Sequence, residues 1–436
     1  MQERLMDDHI ATITRPDTKL FGESQVEINS LRTEAWQSFT KLGWPTRNWE
    51  QWKYTDLSRL LKHYQFKAIA KKPLKLPKFE ACPHTYQAVM VDGEYCSELS
   101  HLPGKIEIMS LREAWKQHSQ DVITQLQHIS FYDHPMAILN QALMSDGIWI
   151  KVPANCSVDK PLHIVYMHSE YREPVATHYR NIIEMGAYSE LTVIEDPQSQ
   201  SRLHVLVNSV SQIYLGHDAK LDFIGIQRDF PLLSHIANQH IEQKHASLAR
   251  LFNLALGGYL GRYDLQSFLL EAAAECEMNG IYMLTGSSHT DIHTRVDHLA
   301  SHTNSSETYK GVFDQKSHGV FNGKVVVHPK IKGVDARQAN HNLLLSNSAE
   351  IDTKPELEIY SDDVKCSHGA TVGQLDEQAL FYFQSRGIDL PQAKLMLTQA
   401  FVLELLASIK NTELKQYMQG LIETKMQTQF AAKDPL

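Results

Sequence analysis

The sequence has few cysteines, and no two of them stand at the spacing of a metal-binding pair. Its five cysteines are scattered and odd in number, and no Cys-x-x-Cys pattern occurs among the 436 residues. A structural zinc site or a permanently bound metal cluster requires several cysteines brought together, so the chain alone is not expected to hold either. Widely spaced free thiols are typical of a reducing compartment, which predicts a cytoplasmic protein.

Features that several common functions require are also missing. The formal net charge is −9, whereas a nucleic-acid surface requires clustered cations. The longest uncharged apolar stretches, such as 251–261, are too short to span a bilayer, and the acidic N-terminus lacks the apolar segment of a secretory signal. There is no phosphate-binding glycine loop and no Gly-x-Ser-x-Gly motif. We therefore expect no nucleic-acid partner, no membrane partner and no standalone catalytic apparatus.

The chain is expected to contain three units. With 42% hydrophobic and 21% charged residues it has the composition of a folded protein. Residues 1–147 predict an α-rich or mixed N-terminal domain, in which Trp44 and Trp52 pack under a loop. Residues 148–375 predict a β core, and residues 376–436 predict a helical C-terminal domain.

The β core shows signs of a repeat. Short runs of alternating apolar and polar residues are separated by turn residues, as in a sandwich, a barrel or a solenoid. A pattern of alanine, any residue and an apolar residue recurs after 27 and 28 residues, and more loosely once later: Ala219–Leu221, Ala246–Leu248, Ala274–Cys276 and Ala349–Ile351. A period in this range is typical of stacked coils. We therefore predict a mostly β protein whose core is a parallel β-helix, or β-solenoid, flanked by helical regions.

The C-terminal domain contains an unusually apolar helix. Asp389 and Pro391 supply a cap and a first-turn proline for a helix predicted over 391–409. It is apolar around most of its surface, with a narrow polar stripe at Lys394, Thr398, Glu404 and Ser408. Such a helix must be buried on several sides. A last amphipathic helix can cover part of it, and the rest packs either on the main domain or on a partner.

One stretch combines a thiol with an imidazole near the end of the β core. In an extended chain Val364, Cys366 and His368 lie on one face. A thiol and an imidazole two residues apart can both reach a soft or borderline metal ion. Equally, Cys366 can be a small core residue beside a histidine that marks the end of a strand. Spacing alone leaves both interpretations open.

A second histidine-rich group offers a different metal site. His289, Asp291 and His293 share one face of a predicted strand, and two imidazoles with a carboxylate can bind a divalent metal ion. The other interpretation is the polar outer face of a β-coil, and we favour it.

Longer motifs identify a family. They are Gly43–Thr46, Trp52–Thr55, Ser306–Gly311, Val320–Lys324, Asp335–Gln338, Lys365–Gly373 and Leu380–Gly387. Through them the sequence resembles the SufB/SufD family of iron–sulfur cluster assembly proteins over nearly its whole length, most strongly from about 290 to 405. Two departures are similar to the SufD branch. The cluster-building cysteine of SufB-like chains is missing from Asn340-His341-Asn342, and Gly369 rather than Glu follows His368.

The resemblance implies a right-handed parallel β-helix and a non-enzymatic scaffold of the SUF system that supports de novo cluster assembly and iron acquisition. It implies pairing with a SufB-like subunit through the β-helix and docking of a SufC-like ATPase on the C-terminal helices. Leu397, Phe401 and Leu405 are the expected partner contacts, and Gly369 would let a partner backbone approach closely. We expect a homodimer when the chain is alone, because self-pairing covers exposed strand edges.

The expected cofactor is a transient iron–sulfur cluster shared with the partner subunit. By the resemblance, His368 lies at the interface and serves as iron ligand or site organiser, with Cys366 as the second candidate for cofactor binding. Family complexes are also associated with reduced flavin, for which the sequence has no motif. Two other functions suit a β-helix: an enzyme acting on polysaccharide, which would need clustered acidic residues and usually export, and a metal-binding solenoid built on His289, Asp291 and His293.

Overall fold

The computed structural model describes residues 26–63, 67–68, 77–128 and 134–431. Its centre is a β-solenoid of about eight turns over 149–373, with helices at both ends. The strands form two ten-stranded sheets, which we call sheet A and sheet B. The prediction of a mostly β protein with a solenoid core is confirmed. None of the helices in these ranges is long and apolar enough to cross a membrane.

The N-terminal part combines helices with short strands. The helices are α1 (Val26–Leu42), α2 (Ser58–His63), α3 (Leu111–Gln117), α4 (Ser119–His128) and α5 (Pro135–Leu143), with 3-10 turns at Glu50–Trp52 and Ser97–Leu99. The strands are β1 (Lys67–Ala68), β2 (Tyr86–Val91), β3 (Glu94–Tyr95) and β4 (Glu107–Ser110). β1 and β4 join sheet A, and β2 and β3 join sheet B.

The solenoid strands alternate between the two sheets along the chain. Sheet A contains β5 (Ile148–Val152), β7 (Val175–Met185), β9 (Val205–Leu215), β11 (Leu233–Gln243), β13 (Leu260–Leu269), β15 (His289–His298), β17 (His318–Val327) and β19 (Glu350–Ile359). Sheet B contains β6 (Leu162–His168), β8 (Glu190–Ser199), β10 (Lys220–Gln227), β12 (Leu248–Ala255), β14 (Glu275–Leu284), β16 (Asn304–Phe313), β18 (Val334–Leu344) and β20 (Val364–Gly373).

Parallel pairing of successive coils fixes the register of the solenoid. Leu221 pairs with Ala249, and Ala249 pairs with Cys276. The alanine repeat therefore predicted the coil length, but its second copy at Ala246–Leu248 is out of register by one residue. Its last copy, Ala349–Ile351, is also misplaced, because Ile351 lies in sheet A. One residue of slip exchanges the two faces of a strand, so a three-residue pattern is too short to set register.

The N-terminal helices cover the outer face of sheet A. Phe39, Trp44 and Trp52 are buried in a cluster that includes Ile236 of β11 and Leu260 of β13. Phe39 and Trp44 meet edge to face with ring centroids 5.3 Å apart. The predicted aromatic packing under a loop is confirmed, and its partner is the solenoid itself.

The C-terminal helices cover the outer face of sheet B. They are α6 (Glu377–Ser385), α7 (Leu390–Leu403) and α8 (Thr412–Ala431), and α7 continues into a 3-10 turn at Glu404–Ser408. The Asp389 carboxylate accepts from the backbone N–H of Gln392 at 2.8 Å and caps α7 as predicted. The predicted single helix over 391–409 is wrong in length, because α7 ends at Leu403.

The predicted polar stripe of α7 is also wrong at one position. Thr398 is fully buried, and its hydroxyl donates to the carbonyl oxygen of Lys394 at 2.8 Å. A threonine satisfied within its own helix can face a core. The buried residues Val402 and Leu406 join a cluster with Phe252 and Val312 of sheet B, so the apolar helix packs largely on its own solenoid.

Candidate functional site

The last coil of the solenoid is open. Within the described ranges β20 pairs only with β18, and β19 pairs only with β17, so each leaves one strand edge without a partner. Every residue from Ser367 to Gly373 is exposed, whereas the preceding coil is mostly buried on its inner face. The open end therefore presents unpaired backbone groups and uncovered inward-facing positions together.

His368 belongs to a column of inward-facing residues at this end. Its registered partner in the preceding coil is Gln338, and the partner of Gln338 is Glu307. Glu307 and Gln338 are buried, whereas His368 is exposed because no further coil covers it. We call these three residues the terminal column. The strand alternation predicted from sequence placed His368 on the same face as Val364 and Cys366, and the register shows that this face continues the solenoid interior.

The two buried members of the terminal column are incompletely hydrogen-bonded. The Thr294 hydroxyl donates to Glu307 Oε2 at 2.6 Å. Glu307 Oε1 and both amide atoms of Gln338 make no hydrogen bond of good geometry with the residues that the structure describes, although Gln338 lies close enough to Glu307 to stabilise its charged form. Burial raises the pKa of the Glu307 carboxyl to about 7, and the neighbouring Thr294 and Gln338 side chains act in the opposite direction. A buried polar atom left without a partner costs about 1–3 kcal/mol, so this layer stabilises the fold less than a fully paired one would.

Cys366 packs rather than points to the open end. It is half-buried and contacts a small cluster that includes Val334 and Ala336, together with Leu357 and Val364. Burial raises the pKa of its thiol, and only the thiolate is a good metal ligand. Of the two predicted ligand candidates, the geometry thus favours His368, and it favours core packing for Cys366.

A closed network of polar side chains lies beside the terminal column. The Asn340 amide donates to the Tyr282 hydroxyl at 2.7 Å, and that hydroxyl donates to Asn342 Oδ1 at 2.9 Å. The Asn342 amide completes the ring by donating to Asn340 Oδ1 at 2.6 Å. Because these groups satisfy one another, neither Asn340 nor Asn342 offers a free ligand atom for a metal ion.

The group His289, Asp291 and His293 is built differently from a metal site. Burial alone would raise the pKa of Asp291, but the charge of Arg262 holds it well below its usual range. Arg262 also donates to the backbone oxygen of Gln51 at 2.8 Å and lies over the Trp52 ring, 4.4 Å from its centre. The Asp291 carboxylate therefore fastens the N-terminal loop to sheet A, and a metal ion there would face a guanidinium.

Comparison with known proteins gives matches along most of the chain. A family model described as the SufBD core domain of SUF-system iron–sulfur cluster assembly matches residues 166–401, and a second, the SufBD protein N-terminal region, matches residues 5–164. The chain belongs to the SufBD family. The core match begins within β6 and ends within α7, and it includes the whole terminal column.

Several relatives of this SufBD chain are known by name. An iron–sulfur cluster assembly SufBD family protein of Synechocystis is 32% identical over 84% of this chain and 84% of its own length. The iron–sulfur cluster assembly protein SufD of Escherichia coli is 30% identical over 89% of this chain and 91% of its own length. SufD of Bacillus subtilis is 24% identical over 67% of each chain.

The predicted docking residues of this SufBD chain fall into two groups. Phe401 and Leu405 are half-buried against the cluster between α7, α8 and sheet B. Leu397 is half-buried outside that cluster. Sequence reasoning missed Phe381 and Tyr382 of α6, which are 72% and 57% exposed. Two neighbouring aromatic residues in a short helix are usually buried, so the sequence alone did not reveal that these two are exposed.

No contact within the described part of the chain requires a glycine at position 369. A Cβ atom added there would meet nothing within 4 Å. The position lies directly after His368 on the exposed part of β20. The predicted close approach of a partner backbone at Gly369 therefore stays a prediction.

Proposed function

We propose that this SufBD family protein is a SufD-like scaffold subunit of a SUF complex. It pairs with a SufB-like subunit through the open end of the solenoid and carries a SufC-like ATPase on its C-terminal helices. The observation that carries the proposal is the position of His368. Its exposed imidazole lies at the end of the terminal column, at the open end where β19 and β20 each have one unpaired edge.

Pairing through the open end follows from the physics of strand edges. An edge strand with free N–H and C=O groups is a template for another strand. Val372 of β20 and Tyr360, which follows β19, are large apolar residues exposed at 49% and 60%. A homologous subunit with its own open end supplies matching edges, so main-chain hydrogen bonds and apolar contact form together.

His368 alone cannot hold iron firmly. Neutral imidazole is a suitable iron ligand, but one ligand supplies only part of the coordination that iron requires. Because Asn340 and Asn342 satisfy each other and Cys366 packs inward, the remaining ligands come from the partner. The iron–sulfur cluster is thus a product assembled between subunits, and this chain acts as a scaffold rather than as an enzyme.

The ATPase site is proposed on the side of α7 that the solenoid leaves uncovered. Leu397 lies outside the cluster that packs on the solenoid. Phe401 and Leu405 are half-buried in that cluster, so only their exposed parts are available to an ATPase. An apolar helix face laid into a groove of a partner is a common docking mode. A reducing cytoplasm is the compartment proposed for this assembly, since all five cysteines are free.

Purification of the native complex tests this proposal. The chain, tagged at its chromosomal locus, is recovered without crosslinking and the bound subunits are identified by mass spectrometry. We expect a homologous SufBD chain and an ATPase. Recovery of neither subunit, under conditions in which the tagged chain is folded, would contradict the scaffold function.

A further inference from the structure

One corner of the solenoid is built from the same turn in coil after coil. From the β5–β6 turn to the β17–β18 turn, every connection from sheet A to sheet B places a residue in the left-handed region: Asn155, Tyr188, Asp218, Ala246, Ala273, His302 and Gly333, with Lys330 as a second such residue in the last of these turns. In successive coils these residues stack at the strand spacing of about 4.8 Å. A side chain at this corner therefore lies directly over its counterpart in the next coil.

In two neighbouring coils the residue before the left-handed position is histidine. His217 lies between β9 and β10, and His245 lies between β11 and β12. Their rings stack with centroids 4.7 Å apart and planes 24° apart. Nδ1 of His217 contacts a carboxylate oxygen of Asp218. One ligand atom from each of His217, Asp218 and His245 lies within 4.8 Å of the other two.

The backbone holds these three residues in place. The N–H of Tyr188 donates to the carbonyl of His217 at 2.8 Å, and the N–H of Asp218 donates to the carbonyl of His245 at 2.9 Å. The N–H of His245 donates to the carboxylate of Glu271 at 3.0 Å, which adds a second acidic group beside the histidines. Metal–ligand bonds of 2.0–2.2 Å place neighbouring ligand atoms about 3.4 Å apart, so these atoms, within 4.8 Å of one another, lie close to the separation that a metal ion requires.

We propose that His217, Asp218 and His245 form a binding site for a divalent first-row transition-metal ion. Two imidazole nitrogens and one carboxylate oxygen suit Zn²⁺, Co²⁺ and Fe²⁺, and such a set leaves coordination positions open for water. The site lies five coils from β20 in sheet B, about 24 Å along the solenoid axis. It is therefore distinct from His368 and stands independently of the proposed scaffold function.

Cobalt binding to the untagged, full-length chain tests the site. After treatment with a chelator, the protein is titrated with Co²⁺ and followed by visible absorption and by metal analysis after gel filtration. We expect one equivalent of bound Co²⁺ with d–d bands and no thiolate charge-transfer band. His217→Ala and His245→Ala should each weaken binding at least tenfold, and Asp218→Asn, which keeps a residue that tolerates the left-handed turn, should weaken it less.

His302→Asn is the matched control, because it changes a histidine at the same corner in a later coil and also keeps a turn-compatible residue. It should bind Co²⁺ as the unchanged chain does. Circular dichroism identifies any variant that fails to fold. If a histidine variant fails to fold, Co²⁺ binding by Asp218→Asn is compared with binding by the unchanged chain instead. No bound Co²⁺, equal binding by the histidine variants, equal loss in His302→Asn or a thiolate band would each overturn the site. None of these results would affect recovery of the native complex.

Discussion

Lys310 of β16 donates a hydrogen bond from Nζ to the carbonyl oxygen of Phe401 in α7, at a distance of 2.9 Å. The same ammonium group pairs with Glu404 at 2.6 Å and lies 5.0 Å from the centre of the Phe401 ring. Three contacts from one side chain thus fasten the last turn of α7 to the solenoid. Variants at this end of the helix consequently affect folding as well as partner binding.

We predict that Phe401→Asp loosens the C-terminal helices. It introduces a charge into a half-buried apolar cluster, so the free energy of unfolding should fall by about 2–3 kcal/mol. Limited proteolysis should cleave the region of α7 faster, and ATPase recovery should fall with it. Unchanged stability together with lost ATPase would show instead that Phe401 belongs to the docking surface alone.

Leu397→Asp separates docking from folding. Leu397 is half-buried but lies outside the cluster beneath α7, so the variant should lose only about 1 kcal/mol of stability, less than Phe401→Asp loses. A pull-down from cells should nevertheless lose the ATPase while retaining the SufB-like subunit. The control is Leu270→Asp, an exposed apolar residue on the solenoid, which should retain both. Full ATPase recovery with Leu397→Asp would exclude this face as the docking site.

His368→Ala should reduce cluster formation without disturbing assembly. The imidazole is exposed and lies at the end of the terminal column, so its loss removes a ligand and leaves the packed coils intact. The complex purified without oxygen should contain all its subunits but several-fold less iron and sulfide. Cys366→Ala, a change in packing at the adjacent inward position, should have the milder effect. Normal iron and sulfide in the His368→Ala complex would refute the proposed role of this residue.

Glu307→Gln should change how stability depends on pH. The Glu307 pKa is raised from 4.5 to about 7, so the folded state retains a proton that the unfolded state has released. Stability contributed by the neutral carboxyl is full below pH 4.5 and declines as the pH rises to 7. Relative to the unchanged chain, Glu307→Gln should gain up to about 3 kcal/mol across this window. Denaturant titrations at pH 4.5 and 8 measure the gain, and the exposed Glu350→Gln serves as control; equal behaviour of both variants would contradict the prediction.

The chain alone should be a dimer. Two open ends that face each other cover both sets of strand edges, so light scattering at micromolar concentration should give about twice the chain mass of 49.7 kDa. Val372→Lys places a charge on the exposed end of β20, a change that blunts edge pairing, and should shift the mass toward one chain. A single-chain mass for the unchanged protein would refute self-pairing.

Sequence reasoning reached the features that depend on local chemistry. Alternation along strands predicted the β core, and the Asp389 cap predicted where α7 begins, because both are set within a few residues. The choice of a solenoid over a sandwich or a barrel came from the repeat and the family resemblance. Sequence reasoning could not reach the features that depend on register between coils. Arg262 and Asp291 are 29 residues apart and form an ion pair only because β13 and β15 align. Glu307 and Gln338 are likewise neighbours only because β16 and β18 align. The burial of Thr398 likewise depends on how α7 is rotated against sheet B.

The two ends of the solenoid differ, and this difference limits growth. At the N-terminal end, β3 and β4 are short and run antiparallel to their neighbours, β2 and β5. Helices α3 and α4 pack over Trp149 and Ile182 beside them. A second chain can therefore add to β19 and β20, whereas the described residues present no long parallel edge at the opposite end. Once two open ends have joined, stacking stops, so a protein built from repeating coils can expose a reactive strand edge without polymerising into a fibre.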